Sequence, residues 1–227
     1  MTAVLKRYAA AWGYLAGLIA GCLVFGQLSA RAQAVFCTWA STSVANLEHE
    51  PVGPLVVSAF IAPGYLLLWP VLAALALFGA NRALGNARTA LVCVAGQVIG
   101  SLVSEGIVGY RVDAGQLPVA DRHLVDIGPS YVVVSAIVIA LICGTWLARV
   151  LAAADFAILV FGGQIFSGLS HLEVSAVGHL TAMLTAAAAI VAIQIRSARR
   201  TSRRDVTDAD ADQVGDPGGA GPEYQLP

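Results

Sequence analysis

Apolar residues fall in long unbroken runs along this chain, and the stretch from Val52 to Asn81 holds no charged residue at all. A bilayer core about 30 Å thick takes roughly 20 apolar residues of helix to cross. Six runs reach or approach that length: Trp12–Val35, Leu55–Ala80, Thr89–Gly109, Ser130–Leu147, Phe156–Leu169 and Val174–Ile195. The fifth is short and carries Gln164. The runs are continuous rather than alternating, which argues for helices and against barrel strands. The pattern predicts an all-α, polytopic bundle of six transmembrane helices over residues 1–195, followed by a polar tail over 196–227.

Composition sharpens this reading. Of 227 residues, 58% are hydrophobic and only 12% charged, and the mean hydropathy is +0.76; soluble domains carry about 25% charged residues. A water-soluble domain has no means of covering so much apolar surface. Soluble enzymes, nucleic-acid binders and secreted disulfide scaffolds are therefore excluded, and the lipid bilayer is the first partner. The net charge of −1 says nothing about partners, but the distribution does. With both termini cytoplasmic, ten of the thirteen basic residues lie inside and only Arg31, Arg111 and Arg122 outside, as the positive-inside rule favours. This topology requires an even number of spans and suits a multi-pass protein of the plasma membrane.

The ends of the chain carry their own signals. Lys6-Arg7 followed by an apolar run ending in Ile19-Ala20-Gly21-Cys22 is similar to a lipoprotein signal with its lipidated Cys. Ala30-Arg31-Ala32-Gln33-Ala34 offers small residues for ordinary signal cleavage. The run continues past Cys22, however, which predicts an uncleaved first span. After Ile195 the segment RSARRTSRRD gives way to an acidic, Gly/Pro-rich stretch, predicting a disordered cytoplasmic tail. Its basic half suits anionic headgroups, at ~1 kcal/mol per Lys or Arg. Cys22, Cys93 and Cys143 sit in apolar runs and Cys37 near the end of one. No metal spacing exists among them, so they read as packing residues, and no metal or organic cofactor is implied.

Polar side chains inside a membrane are candidates for function because burying them costs free energy. Here they are Gln97, Glu105, Asp126, Ser130, Asp155, Gln164, His171, Glu173 and His179. Most lie near span ends, where snorkelling explains them, and Gln97 and Gln164 are uncharged and suited to bridging helices. Two positions stand apart. Gly128-Pro129-Ser130-Tyr131 opens the fourth span from outside, and Gly178-His179-Leu180 lies about one turn into the sixth, also from outside. Ser130 and His179 are thus expected at similar depth, and a Ser beside a neutral His can act as a nucleophile. The glycines allow close backbone approach. Ala182 and Ala186 continue a small-residue face at helical spacing below His179. The structural alternatives are a helix N-cap for Ser130 and a histidine satisfied by a neighbouring helix for His179.

These residues carry a family resemblance. The segments STSVANLEHEPVGPLVVSAF, LFGANRALGNARTALV, VDIGPSYVVV and VGHLTAMLTA, in this order and spacing, resemble the rhomboid superfamily of intramembrane serine proteases, in particular the rhomboid-like membrane proteins of actinobacteria. The resemblance runs from about Ser41 to Ala189. It implies a six-helix core and a Ser–His dyad that cuts transmembrane substrates, with Ser130 matching the nucleophile of the Gly-x-Ser-Gly motif and His179 the base. The chain also departs from the family pattern. Tyr131 replaces the second Gly, Ile61 to Leu77 holds neither the His nor the Asn of the oxyanion site, the Trp-Arg pair of the first loop is missing, and Ala182 and Ala186 stand where the sixth-span motif has Gly. Losing one oxyanion donor typically costs ~100–1,000-fold in kcat.

The first expectation is a weakly active or non-catalytic rhomboid-like protein, a pseudoprotease, whose partners are transmembrane helices or other membrane proteins. The second is an active intramembrane serine protease working through Ser130 and His179. A small transporter or channel is the third, with Gln97 and Gln164 as its only nominees.

Overall fold

The computed structural model describes residues 2–64 and 67–214, with side chains for 3–64 and 67–200. All regular structure among the described residues is helical. Helix α1 covers Thr2–Arg7 and α2 covers Ala9–Gly26. Three short helices follow, α3 (Ala30–Ala40), α4 (Val44–His49) and α5 (Val52–Val57), the last running into a 3-10 turn at Ser58–Phe60. Then come α6 (Leu68–Leu84), α7 (Asn86–Asp113), α8 (Ser130–Cys143) and α9 (Trp146–Ala157), which continues through a π-helical turn at Ile158–Gly162. Helix α10 covers Val174–Val214. Contacts divide the chain into residues 1–189 and 190–227. The second unit, as far as it is described, is the C-terminal part of α10; the expected tail falls within it, and residues 215–227 lie outside the described residues.

By length and composition α2, α7 and residues Val174–Arg200 of α10 are able to cross a membrane, and α6 and α8 are shorter apolar helices. The architecture is the all-α membrane bundle that the hydrophobic pattern predicts, but several boundaries differ. The first span ends at Gly26 instead of Val35. Ser29 is extended (φ −63°, ψ 156°) and accepts the Ala32 N–H at 3.3 Å, so it ends one helix and caps the next. The second span starts at Leu68 instead of Leu55. Pro63 disfavours helical backbone at the residue before it, and Gly64 takes the left-handed conformation at φ +82°. The connection after α2 therefore holds α3, α4 and α5 within residues 27–64.

The fourth and fifth spans are also redrawn. Gly144 and Thr145 are extended, with ψ 164° and 165°, so α8 stops at Cys143 and α9 begins at Trp146, not at Phe156. The fifth helical stretch closes at Gly162 instead of Leu169. Apolar composition alone does not show these breaks, because Gly144-Thr145 is uncharged and too short to interrupt the apolar residues on either side.

Helix α8 is the centre of the bundle. Residues Tyr131–Ala140 are all buried, and α8 packs on α6, α7 and α9. Its side chains are apolar all round, the composition of a helix enclosed by protein. Fourteen residues give only about 21 Å of helix, which suffices for a helix that neighbours surround. Close packing rests on small residues. A Cβ on Gly79 of α6 would sit 3.0 Å from the Ala148 Cβ of α9 and 3.4 Å from the Ala140 Cβ of α8.

Asparagines fasten the start of the chain to the α6–α7 junction. Asn81 donates to the Arg7 carbonyl and Asn86 to the Lys6 carbonyl, each at 2.8 Å, while the Ala10 N–H donates to Asn86 Oδ1 at 3.1 Å. The polar groups described next gather about Gly100 and Glu105, about 20–30 Å further along α7.

Candidate functional site

Helix α8 begins at Ser130, directly after Pro129, whose fixed φ of −77° suits a helix start. Ser130 is half-buried. The N-cap position belongs to Pro129, not Ser130, and no hydrogen bond between Ser130 and His179 forms among the described residues. The next side chain takes the contact with the histidine. The Tyr131 ring meets the His179 ring edge-on, with centroids 5.1 Å apart and planes at 81°.

Two glycines make room for this phenol. A Cβ on Gly178 would overlap the Tyr131 hydroxyl and ring, and one on Gly100 of α7 would lie 3.4 Å from Tyr131 Cδ2 and 3.1 Å from the Gly178 carbonyl. Below them, Ala182 and Ala186 are completely buried, and a Cβ on Gly100 would also meet the Ala182 Cβ at 3.4 Å. The small residues of the sixth span thus let α7 and α10 approach closely enough to enclose the tyrosine.

His179 is 3% exposed. Its Nδ1 lies 3.1 Å from the Ile165 carbonyl and 3.4 Å from Ser175 Oγ, while Nε2 has no partner. A carbonyl only accepts, so Nδ1 carries the proton and Nε2 keeps its lone pair. That is the tautomer of a general base, but the serine hydroxyl it would serve is not bonded to it.

The Tyr131 hydroxyl donates to Asp126 Oδ2 at 2.9 Å, and Asp126 belongs to a larger polar knot. Thr42 Oγ1 donates to the same carboxylate oxygen at 3.2 Å, and the Thr42 N–H donates to the Asp126 carbonyl at 2.9 Å. Ser41 Oγ accepts the Asp126 N–H at 2.9 Å and donates to the Leu124 carbonyl at 3.3 Å. Burial pushes the Asp126 carboxyl above the usual carboxylate range, and the Tyr131 and Thr42 hydrogen bonds pull partly against it. Nearby, Glu105 Oε2 accepts the N–H of Val44, the first residue of α4, at 3.1 Å. A carboxylate at a helix start satisfies an orphan amide and complements the dipole. Residues 41–44 are thereby pinned between the 114–129 loop and α7. Outside the knot, Arg122 bridges Glu48 at 2.8 Å and Asp113 at 2.9 Å on the surface.

The remaining polar candidates have no hydrogen bond to His179 among the described residues. Asn81 of α6 donates to the Arg7 carbonyl at the other end of the bundle, so it adds no oxyanion donor here. Gln97 is bonded to Ser58, Asp155 is fully buried in α9 with neither carboxylate oxygen paired, and Gln164 stands in left-handed backbone at φ 48°. His171 lends its carbonyl to Arg111 at 2.9 Å. The sequence reading passed over Ser41, Thr42 and the Tyr131–Asp126 bond. The signal was present in the five-residue step from Asp126 to Tyr131 and in the Ser-Thr-Ser run after Ala40, but neither is specific without the fold.

Comparison with known proteins bears on this arrangement. A family model described as rhomboid-like protein matches residues 4–199. No curated protein and no solved structure matches the chain significantly. The family match takes in every helix from α2 to α9, the Ser130 turn and His179, and on that extent the chain belongs to the rhomboid-like protein family.

Proposed function

We propose that this chain is a rhomboid-like membrane protein with little or no protease activity, which uses its bundle to bind transmembrane helices or other membrane proteins. The observation that carries the reading is the place of Tyr131: it packs on His179, is tied to Asp126, and leaves Ser130 without a hydrogen bond to the imidazole. Acyl transfer by a serine needs the hydroxyl proton to pass to a base in contact with it, and oxyanion donors supply another ~100–1,000-fold each. The orientation that fits this reading puts both termini in the cytoplasm, residues 196–227 as a cytoplasmic tail, and the Tyr131–Asp126 knot at the outer side of the plasma membrane.

One observation favours an active Ser130/His179 protease instead. Nδ1 of His179 is turned to a carbonyl, which leaves Nε2 as a free acceptor. A fluorophosphonate probe applied to the membrane-embedded protein separates the two readings. The proposed function expects no labelling of the parent chain, shown to be folded and accessible. Labelling that both Ser130→Ala and His179→Ala abolish would establish the protease reading in its place.

A further inference from the structure

The C-terminal end of α7 borders an open pocket with a volume of about 520 Å³, within the roughly 300–1,000 Å³ of ordinary small-molecule sites. Tyr110 and Arg111 of the helix, Gln116 after it, and Ser170 and His171 ahead of α10 line the pocket, together with the apolar Ile107 and Leu172. Each of the five polar side chains has an N–H or O–H to donate, and no carboxylate is among them. Arg111 is half-buried and the other four are exposed, so the donors are open to an occupant. The Arg111 guanidinium gives one N–H to the His171 carbonyl at 2.9 Å, and its charge suits the end of a helix. Neither role engages the rest of its fork. Among the described residues Arg111 forms no ion pair, and the side chains of Tyr110, Gln116, Ser170 and His171 have no hydrogen bond. The nearest acid on α7, Asp113, is bonded to Arg122 at 2.9 Å, while Asp121 and Glu173 line the adjoining pocket.

Depth along the helix identifies the surroundings of these donors. Arg111 lies twenty-three residues past Arg88 on α7, about 35 Å along the axis, against a hydrocarbon core about 30 Å thick. With Arg88 at one headgroup layer, Arg111 and Tyr110 stand at the other. Tyr110 is 70% exposed, and tyrosine is one of the side chains that gather at that level. The anions in reach there are lipid phosphodiesters, whose oxygens match a guanidinium fork. Headgroup chemistry then narrows the choice. A choline or ethanolamine headgroup brings a cation as well, for which this lining holds no carboxylate and to which Arg111 is repulsive. A glycerol headgroup brings only hydroxyls, which Gln116 and Ser170 are able to pair. Ile107 and Leu172 offer the start of an acyl chain an apolar wall.

We infer that the pocket at the end of α7 is a binding site for an anionic phospholipid, with Arg111 on the phosphodiester and Tyr110, Gln116, Ser170 and His171 as further donors. The site does not depend on whether the bundle binds transmembrane helices.

The test uses the full chain in mild detergent with equal amounts of phosphatidylglycerol and phosphatidylcholine of the same acyl chains, and native mass spectrometry reads the ratio in which the two are retained. The parent is expected to favour phosphatidylglycerol. Arg111→Gln is expected to lower the ratio about fivefold, as loss of one basic residue beside an anionic headgroup gives. Arg88→Gln removes the same charge about 35 Å away, several screening lengths from the pocket, and is expected to leave the ratio unchanged. Gln116→Ala combined with Ser170→Ala keeps Arg111 and its bond to His171 in place and is expected to lower the ratio about threefold. Helicity and the parent's unfolding midpoint identify variants that have folded, and the double variant serves where Arg111→Gln does not fold. Excess inorganic phosphate is expected to leave the lipid bound, since it has no chain to rest on Ile107 and Leu172. Equal retention of the two lipids by the parent, or a ratio that the pocket variants leave unchanged, would overturn the site. So would an equal fall in Arg88→Gln, and displacement by inorganic phosphate would overturn a lipid as the occupant.

Discussion

Tyr131 and His179 meet edge-on at 5.1 Å, and the same tyrosine carries its hydroxyl to Asp126 at 2.9 Å. One side chain thus packs against the histidine and ties the loop before α8 to the interior. A glycine at this position would leave both places empty. Tyr131 is therefore a structural element in its own right, with its own slot formed by Gly178 and Gly100.

Removing only the hydroxyl tests the tie. Tyr131→Phe keeps the ring on His179 and breaks the bond to Asp126, whose Oδ2 retains Thr42. A loss of about 1–2 kcal/mol is expected, the ordinary consequence of leaving a buried polar group short of a partner. Tyr131→Ala empties the slot as well and is expected to cost about 3–5 kcal/mol. Unfolding midpoints in detergent measure both, and equal losses for the two variants would mean that the ring contributes nothing.

The slot itself is tested from the other side. Gly178→Ala places a methyl against the phenol of Tyr131, and overpacking of this kind costs about 1–3 kcal/mol. In the Tyr131→Ala background the same methyl meets open space. The double variant is expected to be more stable than the sum of the single losses predicts, by at least about 0.5 kcal/mol. Strict additivity would show that Gly178 is needed for another reason.

Much of the fold was legible in the sequence because burial in lipid leaves a coarse signature: apolar runs of span length with basic residues between them. The start of α10 at Val174 and the existence of α7 follow from that alone. Boundaries set by backbone conformation were not legible, since Ser29, Pro63-Gly64 and Gly144-Thr145 interrupt helices without interrupting hydropathy. At the site, the sequence expects Ser130 and His179 at similar depth, and the structure sets Tyr131, the residue after Ser130, against His179. The sequence did not tell which of two neighbouring residues, Ser130 or Tyr131, would turn toward the imidazole. That choice is made by Asp126 in the loop before α8 together with Gly178 and Gly100, which are distant in sequence and meet the tyrosine only once the bundle has closed.

Asp155 offers a contrasting case. It is fully buried in α9, and neither carboxylate oxygen has a hydrogen-bond partner. Removing an unsatisfied buried polar group leaves no partner stranded, so Asp155→Ala is expected to be neutral within about 1 kcal/mol or stabilising. Asp126→Ala, which strands the Tyr131 and Thr42 hydroxyls, is expected to be clearly destabilising. A loss above about 2 kcal/mol for Asp155→Ala in the same detergent assay would reveal an interaction that depends on the carboxyl.

The raised titration of Asp126 makes the knot sensitive to pH in a defined direction. Burial outweighs the hydrogen bonds from Tyr131 and Thr42, so the folded protein holds the Asp126 proton to higher pH than the unfolded chain does. A group of this kind contributes its full stabilisation below the unfolded value, near 3.9, and loses it as the pH rises through the folded value. Above about pH 4 the linked part of the stability therefore falls as the pH increases through the folded value. Asp126→Asn has no proton to release and is expected to show a flatter profile over the same range. The measurement is the unfolding midpoint of parent and variant at matched ionic strength. A parent whose stability rises with pH, relative to Asp126→Asn, would mean that the two hydroxyl donors hold the carboxylate more strongly than burial opposes it.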